Sequence, residues 1–387
     1  MKIKTRKDMA LLLNDRMNKT YQSLKDRQEL EVDTSLVKTY LLEAHIVKSQ
    51  SHNDVKRLIQ KTFTKTQLKT SREVSFAEGE EEFFFIINTS IDKEKMTIYI
   101  DTTDPRFWML HSMDSSISLD KLYDRLTMDF HEFDNAWIFP QLLEEISSKG
   151  SLRGLGLDYD RREVPDIDFE SEEAPVEFMK MQLWGNQAGK VLKILRQKEA
   201  FPHSTTLSKV KVKYWSNDKH DNYAIDDIKF NGKITSRGTS FNTHIVLTTE
   251  LYRTYKQLIK SLETEYALGF EYDDNNKNTF TGYPLNFYFE QPIAKLDKFC
   301  ESIFSCSFPF KLWGVPVPVN KDFIRVAGFD LHTGAPINFE IKREYIRVYL
   351  PKGTCGNSIA RFYTNLQHYY DSLITVEGGD GRKIFEF

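Results

Sequence analysis

The spacing of apolar side chains changes period along the chain, and each change marks a new kind of element. Near the start, Met9, Leu12, Leu13, Met17, Tyr21 and Leu24 recur at helical intervals, the stripe of an amphipathic helix. Asp33, Thr34 and Ser35 offer a cap for a second helix carrying Leu36, Tyr40, Leu41 and Ile46. Asn53 or Asp54 can cap a third, with Val55, Leu58, Ile59 and Phe63 turned inward. Residues 1–70 therefore read as a helical module.

From about residue 75 the period shortens to that of strands. Residues 83–87 are a short apolar run, and residues 96–101 alternate. A helix with Leu119, Leu122, Tyr123 and Leu126 follows, and another opens at Pro140, a favoured first helical position. Residues 158–173 are acidic, with Pro165 and Pro175 nearby, and the stretch 158–175 reads as a linker. Residues 176–270 restart the pattern with a strand over 176–184, a helix over 185–197 and a strand over 210–215. Asn231-Gly232 marks a hairpin, because that pair supplies two positive φ angles. Residues 244–248 read as a strand, and Leu251, Tyr255, Leu258, Ile259 and Leu262 mark a helix.

The last part, 280–387, runs strand, helix, three strands, helix, edge strand. That order resembles a ferredoxin-like split unit with an added strand. The reading is an α+β chain: a basic helical N-terminal module (1–70), a first α+β part (75–157), the acidic linker (158–175), a second β-rich part (176–270) and a C-terminal part (280–387). The two sheet parts are mixed or antiparallel, with packed helices.

Composition narrows the class. The chain of 387 residues is 40% hydrophobic and 13% aromatic, with 28 Phe and 18 Tyr, which fits packed cores and excludes wholesale disorder. No apolar run approaches the roughly 20 residues of a membrane span. The apolar stretch at residues 9–13 is too short for a signal sequence. Three cysteines, an odd number, fit a reducing compartment and a cytoplasmic location. The net charge is −3, yet residues 1–70 carry 15 Lys and Arg against 8 Asp and Glu. A basic end on an acidic body suits a phosphate backbone or an acidic partner, and equally a solvated helical face.

Candidate chemistry concentrates at residues 345–372. A strand ends at Pro351, Gly353 and Gly356 let the chain turn, and Asn357 or Ser358 can cap a helix. A glycine loop at a helix start presents free N–H groups suited to an anion. On the helix, Ile359, Phe362, Leu366 and Tyr369 form an apolar stripe, while Ser358, Arg361, Asn365 and His368 share another face. With Lys352, and with Arg237 near the hairpin, these residues could hold phosphate or bases.

Other motifs fall short. Gly185–Lys190 has three residues between its glycines instead of four, and Val191 follows the lysine where a phosphate loop needs Ser or Thr. Asp101, Asp104 and His111, together with Asp330, His332 and Glu340, could ligate a divalent ion, although turn chemistry explains Asp330, Thr333 and Gly334 better, with His332 exposed at the tip. Cys355 before a helix is a conceivable nucleophile; Cys300, between Phe299 and Ile303, reads as core.

The functional expectation is a non-catalytic cytoplasmic interaction subunit without cofactor, binding nucleic acid or a partner protein in a microbial or phage multi-gene system such as antiviral defence. One rival is a magnesium- or manganese-dependent phosphodiesterase built from Asp101, Asp104, Asp330, His332 and Glu340. The other is a structural subunit of a homo-oligomer.

Overall fold

The computed structural model describes residues 3–25, 36–45, 50–70, 74–91, 93–164, 176–197, 201–215, 222–272 and 278–386. They form two units. Unit one comprises residues 1–136, 146–153 and 210–253; unit two comprises 137–145, 154–209 and 254–387. Neither is one continuous stretch of chain, whereas the sequence suggested consecutive parts. The tip of the 269–281 region and most of the acidic segment lie outside the described residues.

Unit one is built on the strand Val37–Ala44, buried at all eight positions. It pairs antiparallel with Phe107–Ser112, Phe133–Asn135 and Lys233–Gly238. The second helix expected across residues 34–46 is thus a central strand. Buried on both faces, it shows no alternation, and a short apolar run of that kind cannot be assigned from periodicity. Its two charged residues are each satisfied: Lys38 Nζ donates to the Asp114 carbonyl at 2.7 Å, and Glu43 accepts from Arg106 Nε at 2.7 Å.

The sheet continues through Glu94–Asp101, Phe84–Ile91 and Ser75–Glu78 on one side. On the other it continues through Lys233–Gly238 and Tyr223–Lys229, joined by the Asn231-Gly232 turn. Gly232 sits at φ +79°, and a Cβ there would meet the Leu41 carbonyl at 2.9 Å, so glycine is required twice over.

Helices cover both faces. Leu58, Ile59 and Phe63 of His52–Thr70, with Leu119, Leu122 and Leu126 of Ser116–Asp129, pack on Tyr40, Leu42, Ile98 and Trp108. On the opposite face Met9, Leu13 and Met17 of Arg6–Lys25 and Phe241 pack on Val37, Phe84, Tyr99 and Ala224. Phe241 opens the helix Phe241–Ser261, so residues 244–248, expected as a strand, are helical. Several basic N-terminal residues pair with acids of their own unit, as in Arg6 with Asp101 and Glu81, and Lys61 with Glu132.

In unit two, the part of Ser151–Asp160 from Gly154 onward pairs antiparallel with Phe178–Trp184. The acidic linker expected from residue 158 therefore starts inside a strand.

The C-terminal sheet has six strands in the order Leu312–Asn320, Phe323–Asp330, Pro336–Lys342, Tyr345–Tyr349, Leu285–Tyr288, Thr375–Gly378. Leu285–Tyr288, first in sequence, lies between the last two, which is the interleaving of a split unit, here extended by two strands. The edge strand Leu312–Asn320 carries Pro316 and Pro318, residues tolerated at a sheet edge because neither donates to a ladder.

Leu285, Phe287, Val326, Phe339, Ile346 and Val348 turn to one face, which is buried. There Phe362 of the helix Asn357–Tyr369 meets Phe287 and Phe339 at 5.2 and 5.5 Å between ring centroids. Phe304, just past the helix Leu296–Ile303, lies 5.0 Å from Phe339.

Candidate functional site

The helix Asn357–Tyr369 forms where the sequence placed it, but it is buried on every side: all residues from Asn357 to His368 are shielded from solvent. Arg361 ion-pairs with Asp330, and its Nε donates to the Phe310 carbonyl at 2.8 Å. Ser358 Oγ donates to the other Asp330 oxygen at 2.7 Å, which also accepts from Thr333. Asn365 Nδ2 donates to the Arg361 carbonyl at 2.8 Å. His368 Nδ1 donates to the Asp158 carbonyl at 2.7 Å, and burial pushes its pKa down to about 4.

Arg361, Asn365 and His368 are thus internal struts, out of reach of any phosphate. The anion expected at the helix start is supplied by the protein itself: Gly356 N–H donates to Glu263 Oε1 at 2.7 Å. Cys355, 1% exposed, is sealed from substrate. Cys300 is core, its thiol pushed up to about 12 by burial and then by the Asp297 charge. Of the expected binding residues, Lys352 is exposed and pairs with Glu271 at 3.0 Å, and Arg237 is half-buried on Lys233–Gly238.

The other face of the same sheet is open. Strand register puts Trp313, Phe329, Val315, Ala327, Arg325, Glu340, Arg347 and Tyr345 on it. The rings of Trp313 and Phe329 stack at 6.0 Å, and each residue is 43% exposed. Tyr288 and Tyr345 make a second ring pair at 6.1 Å. Arg325 lies between the two pairs, and Lys342 lies at the tyrosine pair. Arg325 reaches Glu340 at 3.1 Å and lies over Phe323, and Lys342 Nζ sits 5.5 and 5.4 Å from the Phe323 and Tyr345 rings. Arg347 Nε donates to Asn286 Oδ1 at 2.8 Å. Rings and cations interleave on this exposed surface.

Comparison with known proteins follows from this architecture. A family description, MJECL33-like protein, matches residues 1–385 and so takes in both units. The chain belongs to the MJECL33-like family. It is similar to the uncharacterized protein MJECL33 of Methanocaldococcus jannaschii, with 29% identity over 400 residues, spanning 94% of this chain and 92% of that one.

In this MJECL33-like chain the proposed metal ligands do not gather within either unit. Asp101 is held by Arg6 Nε at 2.9 Å and by Thr103; burial works against its charge, but these partners outweigh it and keep its pKa below the ordinary value. Asp104 Oδ1 accepts from the backbone N–H groups of Arg106 and Phe107, a turn contact. Asp330 is on the helix side of its sheet and Glu340 on the open side. The Asp330–Gly334 turn forms, with Gly334 N–H donating to the Asp330 carbonyl at 2.7 Å, although His332 is buried there instead of exposed. Two carboxylates on opposite sheet faces cannot share one ion.

Unit one of this MJECL33-like chain holds a polar array with no signal in the spacing of its residues. His244 Nδ1 donates to Asp226 Oδ2 at 2.9 Å, its Nε2 lies 2.8 Å from Thr39 Oγ1, and that hydroxyl lies 2.9 Å from His111 Nδ1. Asp226, His244 and Thr39 stand in the order of a hydrolytic triad. All three are 0% exposed, so the hydroxyl has no approach for an acyl group, and the array does not serve hydrolysis.

Proposed function

We propose that the protein is a non-catalytic interaction subunit that binds single-stranded nucleic acid on the open face of its C-terminal sheet. The observation that carries this reading is the exposed Trp313–Phe329 stack on the same open sheet face as Arg325 and Lys342. A base stacked on an aromatic ring is worth about 1–3 kcal/mol irrespective of its identity. Exposed ion pairs are worth only about 0–1 kcal/mol. Arg325, whose side chain is 62% exposed, can therefore exchange Glu340 for a phosphate at little cost.

Edge pairing with another strand is a poorer use of this region, because Pro316 and Pro318 interrupt the donors of the outer strand. None of the three cysteines is in a disulfide and Cys306 is exposed, which suits the reducing cytoplasm.

Fluorescence anisotropy with labelled single- and double-stranded oligonucleotides, with and without manganese, tests the reading. Expected is salt-sensitive binding of the single strands, with the oligonucleotide intact on a denaturing gel. Trp313→Ala and Arg325→Gln each weaken it, and manganese has no effect. Cleavage of the oligonucleotide, or affinity unchanged in both variants, contradicts it.

A second reading rests on the exposed row Val315, Val317 and Val319, each at least 50% exposed, which fits a protein partner. Binding to that partner would be insensitive to salt and lost in Val317→Lys.

A further inference from the structure

We propose that Asp226, His244, Thr39 and His111 form a buried one-proton site in unit one, in which the Thr39 hydroxyl reverses direction when His244 takes a proton. The argument is a count of donors and acceptors. Asp226, 0% exposed, places Oδ2 2.9 Å from His244 Nδ1; a carboxylate only accepts, so this nitrogen carries hydrogen in either state. Thr39 Oγ1 lies between two ring nitrogens, His244 Nε2 at 2.8 Å and His111 Nδ1 at 2.9 Å. A hydroxyl has one hydrogen and two lone pairs; among the described residues its oxygen has only these two partners, so its hydrogen is used only if it donates to one ring and accepts from the other.

With neutral His244, Nε2 is bare and receives the Thr39 hydrogen. The hydroxyl oxygen then accepts from His111, whose hydrogen must be on Nδ1. With protonated His244, Nε2–H donates to Thr39. The hydroxyl turns and donates to His111 Nδ1, which must now be bare, so the His111 hydrogen moves to Nε2. One added proton at His244, on a helix, therefore changes the tautomer of a second histidine, on the strand Phe107–Ser112.

The surroundings favour this arrangement over two separate titrations. Phe241 packs on both rings, 5.6 Å from His111 and 5.5 Å from His244 between centroids. Tyr99 stands opposite His111 across the Glu94–Asp101 and Phe107–Ser112 pair, and Ile234 stands opposite Thr39. Thr248 Oγ1 lies 3.4 Å from His244 Nδ1, a longer contact. The charged groups that bear on the array are Asp226 and Asp101, and Asp101 is paired with Arg6.

His111 is held neutral, its pKa pushed down to about 3 by burial and then by His244. Asp226 Oδ1 and the Ser236 hydroxyl, directly opposite on the neighbouring strand, are both buried and have no hydrogen-bond partner among the described residues. A carboxylate this poorly solvated gains from a cation beside it.

Multiple-bond proton–nitrogen NMR of the full chain across a pH titration reads both rings directly, with assignments from His111→Gln and His244→Gln. Wild type and Thr39→Ser are expected to show His244 gaining its second N–H while the His111 hydrogen passes from Nδ1 to Nε2 at the same pH. In Thr39→Val, which keeps the shape and removes the hydroxyl, the His111 tautomer no longer follows His244. The proposal is overturned if the wild-type His111 tautomer stays fixed as His244 titrates. It is equally overturned if Thr39→Val behaves as wild type, or if His244 keeps a single N–H down to the pH at which the protein unfolds.

Discussion

Arg361 and Asp330 form an ion pair inside the C-terminal unit, with side chains 1% and 0% exposed. Helix and sheet meet through this pair, and the remaining lone pairs of Asp330 are taken by Ser358 and Thr333. A guanidinium that looks in the sequence like a phosphate ligand is thereby committed to holding a helix on its sheet.

Removing one partner leaves a charge buried without compensation. Arg361→Met is expected to cost about 3–5 kcal/mol of stability, read as a lower urea midpoint. Replacing both residues, as Arg361→Met with Asp330→Leu, should recover much of the loss. A single variant with wild-type stability would show that the pair contributes nothing.

His203 and Asp371 couple stability to pH in one direction. The hydrogen bond to Asp371, at 3.2 Å, raises the His203 pKa above its ordinary 6.5, outweighing burial. A group whose pKa rises on folding stabilises the fold fully below its unfolded value and loses that contribution as pH climbs through the folded one. The thermal midpoint should therefore decline from pH 6.5 upward in wild type, and this component should vanish in His203→Gln. An unchanged pH profile in the variant would remove His203 from the account.

His368 acts in the opposite sense. Burial pushes its pKa down to about 4, so the unfolded chain takes a proton first as pH falls below 6.5. Stability present above 6.5 is lost progressively toward pH 4, by roughly 3 kcal/mol at about 1.4 kcal/mol per pKa unit. His368→Gln, which can still donate to the Asp158 carbonyl, should flatten this part of the curve. A slope as steep as wild type would contradict the assignment.

Gly356 is fixed by proximity, not by its φ of −65°. A Cβ there would lie 2.7 Å from the Ile259 carbonyl and 3.2 Å from Glu263 Cγ. Gly356→Ala should destabilise by about 1–3 kcal/mol and weaken the contact between Glu263 and the loop. Chemical denaturation measures it, and a neutral substitution would mean that the loop yields.

Much of the fold is legible where one face of an element is wet. Tyr345–Tyr349, Ile324 to Asp330 and the Asn231-Gly232 hairpin alternate or turn as their residues require. Legibility fails where burial is complete. Val37–Ala44 has no polar side to set a period, so its apolar residues pass for a helical stripe. The Leu312–Asn320 strand is concealed by its two prolines, which only an edge position tolerates.

The helix at 357–369 is placed correctly but interpreted wrongly. Its polar face looks wet in the sequence, and only tertiary packing shows that Arg361, Asn365 and His368 are inside. The Asp226–His244–Thr39–His111 array brings together residues scattered over more than 200 positions, and no local spacing announces it.

The open face of the C-terminal sheet is tested most directly by ultraviolet crosslinking of the protein to a short single-stranded oligonucleotide, with the modified peptides identified by mass spectrometry. The account predicts crosslinks on the strands that carry Trp313, Phe329 and Tyr345, reduced by high salt and lost around position 313 in Trp313→Ala. Crosslinks confined to the N-terminal helices, or none at low salt, would contradict it.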